Sequence, residues 1–262
     1  MTMALPAKIA AQGEKRRSTP VRRQKMAVSV AEAIAEDMFS RGVAPGAVLA
    51  TEAQMIEQFG VGRATLREAL RLLEAEGLIA VRAGPNGGAV VQKPSPDRLA
   101  RLLSIVLVVS GTTLEEVIEA RQVLEPELAR RAALNADAPA VNRLLELCER
   151  GAEASGNTRN FMEAMAEFHS VLANASGNTA LSAFWFAVRR VVEVPEAGVH
   201  HSLDSIEGAL RAHRRIAEAI RRHDAEGAAT AMKSHMAAHL RYLKSAHPQL
   251  LSSWVRPVEM SR

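Results

Sequence analysis

Arg63, Arg67 and Arg71 recur every four residues, a spacing that puts their side chains on one face of an α-helix. An arginine ridge of this kind suits the major groove of DNA. There the guanidinium fork bonds a guanine edge bidentately or holds phosphates. Thr65, near the N-terminal end of the same helix, is placed to touch a thymine methyl group or a phosphate. Glu68, Glu74 and Glu76 offer the arginines partners on the protein itself, so a solvated, ion-paired face is the competing reading. Further along, Arg121 falls in what reads as a mostly apolar helical bundle, where a guanidinium needs an anionic partner. Glu125, four residues on along the same helix, is one such partner. Of the eight histidines, His235 and His239 stand four apart, a spacing that can chelate a metal. Helical histidines are more often hydrogen-bonded interior or surface groups, so spacing alone does not make a metal site. His200 and His201 fall in a loop and are expected to be exposed.

The elements around the arginines give them their context. Ala31, Ile34, Ala35, Met38 and Phe39 recur at helical spacing, and Gly42 with Pro45-Gly46 ends that helix in a turn. Thr51 and Gln54 form a capping box for a second helix carrying Ile56 and Phe59. Gly60-Val61-Gly62 is a tight turn. The arginine helix follows, with Leu66, Ala69, Leu70 and Leu73 on its buried face, and Gly77 stops it. A strand at Leu78–Val81, a glycine-rich loop through Gly87 and Gly88, and a strand at Ala89–Val91 complete the unit. Three helices, a tight turn and a hairpin in this order are the layout of a winged helix-turn-helix.

Beyond Lys93-Pro94-Ser95-Pro96 the pattern is helical throughout. Leu99, Leu102, Leu103, Val106 and Leu107 share one helix, and Thr113 with Glu116 caps the next, which runs to about Leu134. Further helices are predicted near 138–154, 159–175, 178–194, 205–223 and 225–246. The fold class is therefore mainly α: an N-terminal winged helix-turn-helix and a C-terminal all-α antiparallel bundle. The predicted organisation is a flexible basic tail at 1–25, a DNA-binding domain at 26–93 and a linker at 94–97. A helical ligand-binding and dimerisation domain follows at 98–246, with a C-terminal tail at 247–262.

Charge follows the same division. Residues 1–95 hold 13 Lys and Arg against 9 Asp and Glu, whereas residues 96–262 hold 20 of each, so the net charge of +4 lies wholly in the first part. A basic module joined to a neutral one fits a partner that is a polyanion; a basic tail on an ordinary enzyme is the alternative. Aromatic residues are only 3% of the chain, which argues against a base-stacking surface for single strands. The single cysteine, Cys148, makes neither an internal disulfide nor a cysteine-rich zinc site. Unbroken apolar runs such as Ile105 to Val109 are far short of the roughly 20 residues that span a bilayer. Met1 to Lys25 lacks the apolar core of a secretory signal, so a cytoplasmic protein without a membrane partner is expected.

The stretch Glu57–Ile79, with Phe59-Gly60-Val61-Gly62-Arg63-Ala64-Thr65-Leu66-Arg67-Glu68-Ala69-Leu70 at its centre, resembles the signature of GntR-family transcriptional regulators. Leu49-Ala50-Thr51-Glu52 and the segment Gly84–Val91 extend the likeness over residues 26–91. The resemblance implies that Arg63, Thr65, Arg67 and Arg71 meet double-stranded operator DNA and that Gly87 and Gly88 lie in the wing near the minor groove. Two positions depart from the pattern. Gly62 replaces the Ser or Thr that normally precedes the arginine, and Ala53 stands where some members carry an arginine.

Arg121-Gln122-Val123-Leu124-Glu125, Phe168-His169, Ala175-Ser176-Gly177-Asn178, Ala212-His213-Arg214 and Met232-Lys233-Ser234-His235 make the helical part similar to the FadR-like branch with an FCD domain. That likeness covers residues 97–246. It implies a metal held by an Asp and three histidines, which align as His169, His213 and His235; the Asp position holds Met165. Zinc, nickel or manganese suits such imidazoles. It also implies that Arg121 stands beside a small carboxylate effector, with Met165 in the same pocket, so both partners for Arg121 remain open. The function expected on this basis is a homodimeric, ligand-responsive transcriptional regulator, a repressor, that senses an organic acid. A metal-dependent hydrolase using the three histidines is the alternative, although Glu167, the nearest candidate base, should point off their face. A non-specific architectural DNA binder explains the charge but leaves the neutral domain without a role.

Overall fold

The computed structural model describes residues 20–258 other than 83, 85–87, 94, 155, 198 and 200, with backbone alone at 20–23 and 194–197. The chain divides into two compact units, Met1–Pro94 and Ser95–Arg262.

In the first unit, α1 (Pro20–Ser40), α2 (Glu52–Phe59) and α3 (Arg63–Glu76) precede an antiparallel hairpin of β1 (Ile79–Arg82) and β2 (Gly88–Val91). The register pairs Ile79 with Val91 and Arg82 with Gly88. Both halves of the Thr51–Gln54 capping box form, and Gly60 ends α2 with a left-handed φ of 62° that a side chain would resist. Gly77 ends α3 in the same way at φ 72°. A bridge from Val48 to Val90 ties the segment before α2 to the hairpin. Ile34, Met38, Met55, Leu66, Leu70, Leu73 and Ile79 form one core, so three helices and the hairpin share a single apolar centre. α1 begins at Pro20, earlier than the sequence pattern indicates, which makes 20–25 helical and not part of a tail. Proline is tolerated in a first turn, and the polar residues that follow it carry no apolar period to read.

The second unit is a helical bundle: α4 (Pro96–Val109), α5 (Leu114–Asn135), α6 (Ala138–Glu153), α7 (Thr158–Ala175), α8 (Thr179–Ala197), α9 (Leu203–Arg221), α10 (Ala225–Ala246) and a short α11 (Pro248–Leu251). Side-chain caps set most starts. Ser95, Thr113, Asp137, Asn157, Ser202 and Asp224 each accept a backbone N–H of the helix that follows. α5 is central and packs against α7, α8, α9 and α10. Leu128, Leu144, Phe168, Trp185, Ile216 and Met232 fill the main core. α8 continues through Pro195 to Ala197, so the break before α9 is shorter than its sequence signals suggest.

The segment after α10 is not a free tail. Leu251 and Val255 are buried, the backbone N–H groups of Leu114 and Val255 bond Ser253 and Thr112, and Thr113 bridges to Trp254. The N–H of Val258 donates to Oγ of Ser104, a fully buried serine of α4. Residues 247–258 therefore close the α4–α5 end of the bundle. Among the described residues no helix is long and apolar enough to cross a membrane.

Candidate functional site

The DNA-facing candidate is built on α3. Leu66, Ala69, Leu70 and Leu73 anchor it in the core, which leaves Arg63, Arg67 and Arg71 exposed and Thr65 half-buried. Arg67 Nε lies 3.2 Å from a carboxylate oxygen of Glu52 on α2, and Arg71 pairs with Glu68 at 3.3 Å. Both pairs are exposed, where an ion pair is worth about 0–1 kcal/mol, so a phosphate or base can displace them at little cost. The Glu52 partner comes from another helix and escaped the sequence reading. Glu74, offered there as an arginine partner, has a carboxylate that accepts the N–H of Val81 and so joins α3 to β1. Gly62 caps α3 with no side-chain hydrogen bond, as expected from the missing hydroxyl. Gly88 opens β2 at φ 142°, a conformation that L side chains rarely adopt. Gly87 lies outside the described residues.

The second candidate lies inside the helical unit. α7 supplies His169, α9 supplies His213 and α10 supplies His235; their ligand atoms all lie within 4.8 Å of one another. The rings of His213 and His235 are 4.4 Å apart, and His169 stacks on His235 at 5.5 Å. The family resemblance implies that these three converge, and the structure brings them together. His239 lines the neighbouring cavity but is not one of the trio. His201 also differs from expectation. It lines that cavity, stacks on Tyr242 at 5.2 Å and lies 3.4 Å from the Ser205 hydroxyl, so it is not a bare loop residue. His200 lies outside the described residues.

The polar atoms against each ring fix the tautomers. Nδ1 of His213 lies 2.8 Å from the carbonyl oxygen of Ala209, which only accepts, so Nδ1 carries the proton. Nδ1 of His169 lies 2.5 Å from Oε2 of Glu125, whose ionised carboxylate also only accepts. The Nε2 atoms of the two rings are then left with lone pairs, and they face each other at 3.1 Å. Two facing lone pairs need a cation or a proton between them. Two nitrogens about 2.1 Å from one zinc ion at a tetrahedral angle stand about 3.4 Å apart, close to this spacing. Burial and the neighbouring His169 hold His213 down at about 3, and burial with His213 beside it pushes His235 well below the usual range. Neutral imidazole is the form that binds metal. The donor set therefore fits a divalent ion such as zinc.

Met165 is buried one turn before His169, where the resemblance implies a carboxylate. It packs with Phe161, Ile206 and Leu210, and a Cβ on Gly151 would stand 2.6 Å from its Cε. The missing side chain at Gly151 makes room for the longer residue. Glu125 is the carboxylate present near the trio. Burial opposes its ionisation, but His169 and Arg121 outweigh burial and hold it well below the carboxylate range. Arg121 Nε donates to Oε1 of Glu125 at 2.8 Å, so the internal pair forms. Arg121 also lines a cavity of about 1020 Å³ together with the trio and Met165. Arg189, Tyr242 and Ser202 line the same cavity and were missed, because no local spacing marks them. Glu167 pairs with Arg143 and with Arg150 on the outside of the bundle, away from the trio, as its position two residues before His169 implies.

Comparison with known proteins agrees with both halves. The model for bacterial regulatory proteins of the gntR family matches residues 26–91, and that for the FCD domain matches residues 116–238. The HTH-type transcriptional repressor NanR of Enterobacter sp. (strain 638) is 30% identical over 236 residues, 86% of this chain and 87% of its own. NanR of Escherichia coli (strain K12) is 29% identical over 233 residues, 86% of each chain. Among solved structures, Streptococcus agalactiae GntR superposes with a TM-score of 0.66 at 26% identity, covering 82% of this chain and 99% of that one.

Proposed function

From membership of the gntR family of bacterial regulatory proteins, with its FCD domain, we propose that this chain is a cytoplasmic repressor whose helical unit binds a small organic acid at a metal centre. A ligand-responsive, DNA-binding transcriptional regulator is what the family matches establish; an enzyme is not. The hydrolase reading falls with them. The repressor sign rests on the relatives being repressors. The DNA contacts proposed are Arg63, Thr65, Arg67 and Arg71 on α3 with Gly88 and Gly87 in the wing. The observation that carries the effector reading is the cavity of about 1020 Å³ into which Arg121 and the three histidines converge. His169, His213 and His235 would hold zinc, nickel or manganese, and such an ion supplies a Lewis-acidic seat for an anionic oxygen. Arg121 would orient the acid, and Met165 leaves the position beside the trio uncharged.

A homodimer formed through the helical unit is part of the proposal. Leu102, Val106 and Val109 lie along one face of α4 and are 65%, 60% and 83% exposed, and α8, which packs on α4, exposes Phe184. An apolar face of this kind favours a partner, and a two-fold dimer matches a palindromic operator. The proposal is tested by fluorescence anisotropy on DNA from upstream of the chain's own gene. Binding is measured with zinc and pooled carboxylic acids present or absent. Tight binding that one acid weakens is the expected result; binding that no acid alters refutes the effector reading.

A further inference from the structure

We propose that Glu125 is the positioning carboxylate of the histidine centre and that it couples this centre to Arg121. The inference rests on the metal reading above and goes beyond it, because it assigns a role to a residue outside the ligand set. Glu125 divides its two oxygens. Oε1 accepts from Arg121 Nε at 2.8 Å, and Oε2 lies 2.5 Å from Nδ1 of His169. All three side chains are buried, with Glu125 1% exposed, and it is the one buried carboxylate among the described residues. The residue at 165 brings no charge. A dication on three neutral imidazoles would therefore draw on the negative charge of Glu125, which is in contact with His169.

Two consequences follow from that division. First, the carboxylate fixes the His169 tautomer and ring orientation, leaving Nε2 for the ion, and increases the ring's basicity as a ligand. Second, Arg121 and His169 draw on the same charge. When Arg121 turns to an anion in the cavity, more of the Glu125 charge serves His169, and ion affinity rises. Linkage makes the effect reciprocal: a bound ion must raise the affinity of Arg121 for an anion by the same factor.

The test uses the full chain, stripped with a chelator, and measures zinc affinity by competition with a chromophoric chelator. Glu125→Gln keeps the shape and removes the charge; it should weaken zinc about 10–100-fold, as loss of an outer-shell partner does. Arg121→Gln should strengthen zinc several-fold, and in the Glu125→Gln background it should lose most of that effect. A merely structural role for Glu125 predicts no such pair of opposite changes. Circular dichroism of each metal-free variant checks the fold. If Glu125→Gln does not fold, Arg121→Gln decides alone, and weakened or unchanged zinc binding in it overturns the proposal. Unchanged zinc affinity in a folded Glu125→Gln also overturns it while leaving the metal centre standing. A wild-type chain that takes up no zinc refutes the metal centre and the proposal together.

Discussion

Arg63 and Arg67 differ in what the free protein offers them. Arg67 is held by Glu52 at 3.2 Å, whereas Arg63 opens α3 beside a glycine cap. An exposed pair is easily exchanged, so both arginines remain available to DNA. Replacing either by Ala should cost about 1–3 kcal/mol on the operator if it bonds a base edge. An equal loss on random DNA would assign that arginine to phosphates, and an unchanged operator affinity would remove it from the interface. At position 165 the expected change runs the other way. Met165→Asp places a hard, charged oxygen one turn from His169, and it should tighten zinc binding in the same chelator competition. If wild type and variant both stay metal-free after zinc loading, the three histidines are not a metal site. The buried imidazole also makes the metal-free protein acid-sensitive. His213 titrates at about 3 in the folded chain against an ordinary 6.5, so between those values the unfolded chain binds more protons. Stability is then full above about 6.5 and is lost as the pH falls toward 3. The melting temperature of the metal-free protein should drop between pH 7 and pH 4.5, and His213→Gln, which can still donate to Ala209, should flatten that slope.

Elements of the helical unit owe their ends to caps and their stability to what covers them. Residues 247–258 cover the part of the core that contains Leu114, Ile118 and Leu243, with Leu251 and Val255 as the buried contacts. Leu251→Ala should therefore cost about 2–5 kcal/mol, measured by urea unfolding; a cost near zero would show that the segment lies loosely on the bundle. This segment was not legible in the sequence. Leu251, Val255 and Val258 stand four and three apart, a helical spacing, but the helix formed is only the four-residue α11, so the extended course that buries Leu251 and Val255 is not what the spacing indicates. The start of α1 was hidden because Arg22, Arg23, Gln24 and Lys25 are all polar and offer no apolar period to read. In contrast, α5, α6 and α10 could be placed because Thr113, Asp137 and Asp224 each mark a start with a side chain of the right length. The histidine trio needed the family likeness, because its members come from three separate helices and no local spacing joins them. The Arg121–Glu125 pair was readable as neighbours on one helix, but the ion-pair contact of Glu125 with His169 crosses from α5 to α7 and has no sequence signature.

For the whole molecule, the division of charge and the apolar face of α4 point to one assembly. All of the excess positive charge lies in residues 1–95, so each copy carries one basic reader and one neutral body. In the proposed dimer one α3 would present its arginines to a single stretch of major groove, and two copies related by a dyad would read two half-sites about one helical turn apart. The neutral body is where two copies can meet without charge repulsion. There Leu102, Val106 and Val109 expose apolar side chains along α4, on the side away from its buried Ala100 and Ser104. Leu102→Glu with Val106→Glu puts like charges on both sides of such a contact, where they repel and must lose their hydration. The wild-type chain should sediment as a dimer at micromolar concentration, and the double variant as a folded monomer. The variant should also bind a palindromic operator far more weakly than wild type while keeping its affinity for a single half-site. A dimer that survives both charges would move the contact off α4, and a wild-type monomer that still binds the palindrome tightly would leave the pairing to the DNA.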